Sequence, residues 1–428
     1  MKSIYIYTAL LLITFSAKAQ NPAPSDNMKR ILFIGAKAHL GNGEVIEQSA
    51  IGIANGKITF VMSSQGYKAD RNSFDTIINV DGKDIYPGFI AMNTTLGLRE
   101  IELVRSTTDN AEVGNLNPSV RAISAYNTDS KVIPTVRDNG VLMAQIVPSG
   151  GLISGSSSVV QLDAWNWEDA AVKTDEGIVM NWPSMRIYKS DKTSEEEQRE
   201  TMEKQLQEIE KLFSDAQAYA VSKSVPVINQ HLESMRGLFN GSKKLYIHCN
   251  SVKEIISAVQ FCKQKKIQMV LVEGQDSWRA ADLLKANNIP VIIVRTHVLP
   301  MRDDEDIDLP YKLPYLLYKA GVKFCITDDG YWQQRNVGFE AGTAVGYELP
   351  YEEAVRSITS APAEILGIGS TCGQLKDGMD ATLFISSGDA LDMKSCKVEM
   401  AFIQGREINS DNIQKQLYRK YMKKYHLE

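Results

Sequence analysis

Three side chains of the kinds that bind metal ions or transfer protons each come directly after a short apolar run. His248 follows Leu245–Ile247, Glu273 follows Met269–Val272, and Asp328 follows Val322–Thr327. If these runs are parallel strands, their C-terminal ends meet at one edge, where functional side chains collect. One imidazole and two carboxylates could hold a single divalent ion, Mg²⁺, Mn²⁺ or weakly bound Zn²⁺. The alternative is a hydrogen-bonded core histidine and two carboxylates that line a polar pocket.

Two further features are weaker candidates for substrate binding. The loop that contains Ser149 and Gly150 is rich in Gly and Ser, and its backbone N–H groups could bind an anion or carboxylate. His297 comes just after the apolar run Val291–Val294, so it could also join a pocket at the same edge. The alternatives are a plain connection and an ordinary loop histidine. The chain has no nucleophile elbow, no Walker loop and no His-Glu-x-x-His motif to supply another chemistry.

The secondary structure that would position these residues changes in kind along the chain. Short β-rich runs with turn signals, among them Ser49–Ala54 before Asn55-Gly56, predict antiparallel sheet before residue 87. From there to residue 369, apolar strands alternate with helical stretches, which predicts parallel strands with crossover helices. That length suits a (β/α)8 barrel of roughly 250 residues. Thr193 with Glu196 predicts a capping box at the start of one long helix.

Short β-rich runs return after residue 369, and a basic amphipathic segment follows them. We therefore expect an α/β protein, a TIM-like (β/α)8 barrel with a small split β-sandwich domain formed from both chain ends. The predicted boundaries are a barrel over 87–369, a composite sandwich from 20–86 and 370–408, and a final helix over 409–428. That helix either packs on the protein or contacts a membrane or a partner.

Composition and the first residues restrict the class of protein. A hydrophobic fraction of 43% excludes a disordered chain, and a net charge of −5 gives no reason to expect nucleic acid as a partner. The five cysteines form no CxxC pair, which argues against a cysteine zinc site.

The first residues have the pattern of a signal peptide over 1–19. They contain the positive charge of Lys2, the apolar run Ile4–Phe15 and the cleavage signal Ala17-Lys18-Ala19. We expect export to the periplasm or cell envelope, solubility after cleavage, and no transmembrane segment.

Four segments carry a resemblance to a known family. They are Asp81-Gly82-Lys83-Asp84-Ile85-Tyr86-Pro87-Gly88-Phe89-Ile90, Gly321-Val322-Lys323-Phe324-Cys325-Ile326-Thr327-Asp328, Ala361-Pro362-Ala363-Glu364-Ile365-Leu366-Gly367, and Gly373-Gln374-Leu375-Lys376-Asp377-Gly378-Met379-Asp380-Ala381-Thr382-Leu383. In this order they resemble the amidohydrolase superfamily, and its imidazolonepropionase-like exported branch in particular. The resemblance implies a hydrolase of non-peptide carbon–nitrogen bonds with a divalent metal at the barrel mouth.

The chain departs from the family pattern at the metal site. The resemblance aligns His248 with the fifth-strand histidine, Glu273 with a sixth-strand histidine, and Asp328 with the general-base aspartate. The two first-strand histidines are replaced by Asn93 and Thr95, whose oxygens are poor substitutes for imidazole on zinc. We expect either a hydrolase of a small cyclic amide-type substrate, with one Zn, Mn or Mg ion or none, or an inactive relative. The inactive relative would bind a ligand, or form a homo-oligomer or a complex with an intact amidohydrolase.

Overall fold

The computed structural model describes residues 29–189, 192–222 and 227–427. The predicted signal peptide therefore lies outside the described residues. The strands are β1 (Ile31–Ile34), β2 (Lys37–His39), β3 (Val45–Ile46), β4 (Ser49–Ala54), β5 (Lys57–Ser63), β6 (Thr76–Asn79), β7 (Asp84–Pro87), β8 (Phe89–Thr94), β9 (Val141–Ile146), β10 (Ile153–Gln161), β11 (Ala171–Asn181), β12 (Lys244–Cys249), β13 (Met269–Glu273), β14 (Val291–Val294), β15 (Phe324–Thr327), β16 (Leu383–Ser386), β17 (Val398–Ile403) and β18 (Arg406–Glu407). The α-helices are α1 (Val132–Arg137), α2 (Trp167–Ala170), α3 (Glu195–Val221), α4 (Gln230–Asn240), α5 (Val252–Lys265), α6 (Ala281–Ala286), α7 (Leu309–Ala320), α8 (Val337–Gly346), α9 (Tyr351–Ser357), α10 (Ser360–Leu366) and α11 (Ile413–Lys424).

Strands β8 to β15 form one eight-stranded sheet in chain order, and this sheet is the predicted barrel. The pairs β8–β9 and β11 through β15 are parallel, as the strand-helix alternation predicts. Strand β10 is antiparallel to both of its neighbours, so the expectation of parallel strands throughout is wrong at this position. The reason is the connection before it, because residues 147–152 are too few for the crossover that a parallel pair needs. The fold class, an α/β protein with a TIM-like barrel and additional sheet, is confirmed.

A threonine side chain joins the first and last strands of the barrel. Thr327 in β15 accepts the backbone N–H of Met92 in β8 at 3.1 Å and donates to its carbonyl at 2.8 Å. Below this contact the barrel interior contains closely packed apolar side chains such as Val159 and Val270, both inaccessible to solvent. The interior is therefore a packed core, and chemistry is confined to the strand ends above it.

Two smaller sheets lie beside the barrel, one from the N-terminal part of the described chain and one that combines strands from both of its ends. One has the order β5-β4-β1-β6, and the other has the order β18-β17-β16-β7-β2-β3. In the second sheet β7 pairs antiparallel with β16, which puts Tyr86 opposite Phe384. Phe33 and Phe402 pack edge to face with their ring centroids 5.2 Å apart. Segments more than 300 residues apart in the chain thus share one core, while the exact domain boundaries stay predictions.

Helices α3 and α11 occupy the predicted segments, with one correction. The capping box of α3 is formed by Ser194 and Glu197, one residue later than predicted, because Ser194 has the extended backbone that an N-cap requires. Helix α11 starts at Asn412, whose side chain accepts the N–H of Lys415, and it buries none of its side chains. Within the described residues no helix is long and apolar enough to cross a membrane.

Candidate functional site

His248 lies at the C-terminal end of β12, with both ring nitrogens next to oxygen atoms. Its Nδ1 is 3.0 Å from Oε1 of Glu273, at the end of β13, and its Nε2 is 3.1 Å from Oδ1 of Asn93 in β8. The amide of Asn250 also donates to Glu273. Burial alone would raise the pKa of Glu273, but the hydrogen bond and charge of His248 and the Asn250 amide bring it below its ordinary value. The structure therefore brings together two of the three predicted metal ligands, as a hydrogen-bonded pair.

Asp328, the third predicted ligand and the predicted general base, has a different set of partners. Its carboxylate accepts the backbone N–H of Asp329 at 2.7 Å and the amide of Asn336 at 3.3 Å. Arg295 Nε lies 3.9 Å from Asp328 Oδ1. Burial, and next the charge of Glu340, raise the pKa of Asp328 to about 6. Asp328 is thus a buried carboxylate that holds a proton more tightly than usual, beside an arginine.

His297 pairs with a helix residue behind the mouth of the barrel. Its Nδ1 is 2.9 Å from Oε1 of Glu340 in α8, and Nε2 contacts the Thr343 hydroxyl. The backbone N–H of Thr296 also donates to Glu340 at 2.6 Å. The hydrogen bond to Glu340 raises the pKa of His297. Burial alone would raise the pKa of Glu340, but the hydrogen bonds from His297 and Thr296 bring it below its ordinary value. His297 therefore supports a buried carboxylate, and its predicted role in substrate binding stays a prediction.

The residues at the mouth do not fit a metal centre of the expected kind. Across 29–189, 192–222 and 227–427, no three His, Cys, Asp or Glu side chains come together in a way that could hold a metal ion. A metal binds imidazole through a nitrogen lone pair, and both nitrogens of His248 are already hydrogen-bonded to side chains. Asn93 and Thr95, at the family's histidine positions, offer only amide and hydroxyl oxygens. The metal roles of His248, Glu273 and Asp328 stay predictions, and a metal bound to either nitrogen of His248 would displace one of these two hydrogen bonds.

A cavity of about 190 Å³ opens at this mouth. Its lining is mostly polar and comes from several strand ends and loops: Asn93, Thr95, Arg99, Asn110, Val147, Pro148, Ser149, Ser154, Val179, Asn181, His248, Asp329 and Gly330. Three buried atoms of these residues, Thr95 Oγ1, Arg99 Nε and Asn110 Oδ1, have no hydrogen-bond partner in the structure. Buried polar atoms in native proteins nearly always have a partner, which can be water or a ligand. The lining of the cavity therefore includes three residues whose buried polar atoms have no partner among the described residues.

A buried hydrogen-bond network supports the floor of this cavity. Glu176 in β11 accepts hydrogen bonds from Gln145 at 2.7 Å, from Ser157 at 2.6 Å and from Tyr246 at 2.8 Å. The carbonyl oxygen of the Gln145 side chain accepts the backbone N–H of Asn93 at 3.1 Å. Four neighbouring strands thus fix the backbone that presents Asn93 to the cavity.

Three residues at the strand ends have a left-handed backbone although none of them is glycine. The φ angles are 51° at Asn93, 72° at Glu273 and 66° at Arg295. Asn tolerates this region, whereas for Glu and Arg it costs on the order of 1 kcal/mol each. Such strain is concentrated at functional sites, where the surrounding structure holds a side chain in one direction. It aims Glu273 at His248 and Arg295 toward Asp328.

The predicted loop is only partly at the site. Ser149 lines the cavity and contacts the Asn110 amide, whereas Gly150 forms the adjoining turn with a φ of 86°. Sequence reasoning missed Arg99 and Asn110, which lie in the long segment after β8, and it missed Glu340. The one available signal was the length of the segment between β8 and β9, since long loops often carry function.

No family model matches the chain. Among curated proteins, amidohydrolase tasK of Hapsidospora irregularis is 33% identical over 86 residues, which are 20% of this chain and 9% of that protein. Among solved structures, an amidohydrolase from Thermotoga maritima MSB8 superposes with a TM-score of 0.77 at 22% identity, covering 89% of this chain and 99% of that one. A molinate hydrolase, with a TM-score of 0.57 at 13% identity, covers 90% of this chain and 96% of its own. The A. niger ochratoxinase, with a TM-score of 0.53 at 13% identity, covers 89% of this chain and 96% of its own.

These likenesses agree with the order of the sequence segments and with the barrel and its flanking sheets. The similar structures differ widely in sequence from this chain, so what they establish is the architecture. The resemblance predicted from sequence is confirmed at that level: this chain has the fold of the amidohydrolases.

Proposed function

We propose that this chain is a pseudo-amidohydrolase, which binds a small polar molecule at the barrel mouth and lacks the family's metal-dependent hydrolysis. The observation that carries the proposal is the state of His248. One of its nitrogens is 3.1 Å from the amide oxygen of Asn93, at a position where the family has a histidine, and the other is 3.0 Å from Glu273. Hydrogen bonds between side chains thus occupy the positions where metal–ligand bonds would form.

The cavity supports the binding half of this proposal. Thr95, Arg99 and Asn110 line this cavity of about 190 Å³, and each has a buried polar atom without a hydrogen-bond partner among the described residues. A bound molecule that hydrogen-bonds to them would satisfy groups that are costly to leave unpaired, by about 1–3 kcal/mol each. Small-molecule sites are usually preformed concave pockets of this kind with a few convergent polar groups.

The test is the metal content of the purified mature chain, measured for wild type, Asp328→Ala and the double variant Asn93→His with Thr95→His. We expect no stoichiometric metal in wild type or Asp328→Ala, and uptake in the double variant, which restores two imidazoles beside His248. Near-stoichiometric metal in wild type that falls in Asp328→Ala would contradict the proposal. Circular dichroism on all three chains shows that any difference is not caused by unfolding.

A second candidate function is hydrolysis of a non-peptide carbon–nitrogen bond in a small cyclic amide-type substrate. It is favoured by Asp328, because burial and the charge of Glu340 raise its pKa to about 6, near the pH at which a general base exchanges protons efficiently. The measurement is turnover of a panel of small lactams and cyclic ureas. Activity that is lost in Asp328→Ala and retained in Asp282→Asn, at an exposed carboxylate of α6, would support hydrolysis, and no turnover in wild type would count against it.

Export and partners complete the proposal. The first 19 residues have the pattern of a signal peptide, so the mature chain should begin at Gln20 in the periplasm or cell envelope. N-terminal sequencing of the exported protein checks this. A protein without hydrolysis of its own would act through a partner, either an intact amidohydrolase or a second copy. Co-purification from the cell envelope tests the first, and light scattering tests the second.

A further inference from the structure

Helix α11 exposes an apolar surface next to a basic one. At about 100° per residue, Ile413, Leu417, Tyr418, Tyr421 and Tyr425 fall on one side of the helix, which we call the apolar arc. All five side chains are exposed, with accessible fractions from 41% to 64%. A single exposed apolar residue is ordinary, but five on one helix mark an interaction surface.

The other exposed side of α11 is strongly cationic. Residues 413–427 contain five Lys and Arg and no Asp or Glu, although the whole chain carries a net charge of −5. The rest of the chain therefore has 42 Lys and Arg against 52 Asp and Glu, a net charge of −10. Of the five cations, Lys415 pairs with Asp138 and Arg419 with Asp411, which leaves Lys420, Lys423 and Lys424. At about 100° per residue, Lys420 and Lys423 lie outside the apolar arc, whereas Lys424 falls between Ile413 and Leu417 within it; we call the three lysines together the basic arc. In the described part of the chain these three lysines have no carboxylate within 4.0 Å.

Hydrogen bonds from the N-cap and first turn of the helix join it to the body of the protein. The Asn412 side chain donates to Asp138 at 2.8 Å, Lys415 Nζ lies 2.6 Å from the same carboxylate, and Thr135 donates to Gln414 at 2.7 Å. None of the helix side chains is buried. The fold thus holds α11 at a defined position and leaves both arcs open to solvent.

We propose that α11 is a peripheral membrane-binding helix that recognises an anionic phospholipid surface. A short helix with an apolar side, a lysine-rich side and low mean hydropathy is the form that lies in the plane of a membrane interface. The apolar arc contains three tyrosines, whose rings suit the headgroup level, where one end of the side chain is apolar and the other is wet. Lipid phosphates complement the basic arc, while the net negative charge of the remaining chain would keep the body away from the surface.

The experiment is flotation of the full mature chain with vesicles of phosphatidylcholine alone or with added phosphatidylglycerol. We expect binding to the anionic vesicles, and little to the neutral ones, with affinity falling as salt rises. The triple variant Lys420→Gln, Lys423→Gln, Lys424→Gln should bind about 100-fold more weakly, since each lysine near an anionic surface contributes about a factor of five. The double variant Leu417→Ser, Tyr421→Ser should also lose binding at unchanged charge.

A matched control removes three exposed lysines elsewhere, as Lys204→Gln, Lys211→Gln and Lys253→Gln, and should bind like wild type. Because α11 buries no side chain, neither set of substitutions should change the thermal unfolding midpoint. The proposal would be overturned by equal binding to neutral and anionic vesicles, by equal loss in the control triple variant, or by no binding. It would also be overturned if light scattering showed a dimer that the α11 variants abolish, with no vesicle binding, since α11 would then bind a second copy.

Discussion

Asp328 should destabilise the folded protein above pH 6, and Asp328→Asn should remove that effect. Asp328 is 1% exposed, and burial together with the charge of Glu340 raises its pKa from 3.8 to about 6. A difference of about 2 pH units corresponds to about 3 kcal/mol. Because the folded state binds the proton more tightly, the free energy of unfolding falls as pH rises from about 4 to about 6, and then stays level. This difference already includes the charge of Arg295, which lowers the pKa that burial and Glu340 raise.

The assay is urea unfolding of wild type and Asp328→Asn near pH 4 and near pH 8, with a chelator present. We expect the variant to be more stable by about 3 kcal/mol near pH 8 and equal to wild type near pH 4. Asp329→Asn, at the exposed neighbouring carboxylate, is the control and should show no such pH-dependent difference. A variant that is less stable than wild type near pH 8, or that differs from it equally at both pH values, would refute the reasoning.

Three other substitutions test contacts that stabilise the fold. Asp163→Ala should lower the free energy of unfolding by about 3–5 kcal/mol in urea titration, because it leaves two buried arginines, one of them Arg406, without their carboxylate. Tyr246→Phe should cost about 1–3 kcal/mol, since the buried carboxylate of Glu176 loses a hydrogen-bond donor, and a change below 0.5 kcal/mol would contradict that role. Ser194→Ala should lower the unfolding free energy by about 1 kcal/mol through loss of the helix cap, with little effect on ligand binding at the barrel mouth.

Much of the fold could be predicted because local apolar runs coincide with the strands. The runs beginning at Val141, Leu245, Met269 and Val291 all form barrel strands where the pattern indicated. Strand β10 was missed because the Gly and Ser residues of its first half were interpreted as part of a loop, and periodicity in any case carries no strand direction. The six-residue connection 147–152 held that information, since it is too short for a crossover.

The residues of the site could be predicted only where they lie at the ends of strands. His248 and Glu273 do, and they meet. Arg99 and Asn110 reach the cavity from a long segment without periodicity, and Glu340 comes from a helix whose pattern suggests only packing. Their positions depend on how distant loops fold over the barrel, and no local pattern in the sequence encodes that.

The contacts at the barrel mouth share one feature, because each carboxylate lies beside a cationic or protonatable side chain. In the described part of the chain, Glu273 faces His248 at 3.0 Å, Glu340 faces His297 at 2.9 Å, and Asp328 lies 3.9 Å from Arg295. Carboxylates gathered at a barrel mouth repel one another unless a positive charge lies among them. In a metal-dependent site the ion supplies that charge. Here three cationic or protonatable side chains of the same chain stand beside the three carboxylates. An added cation would therefore meet carboxylates that already have a cationic or protonatable partner in the same chain.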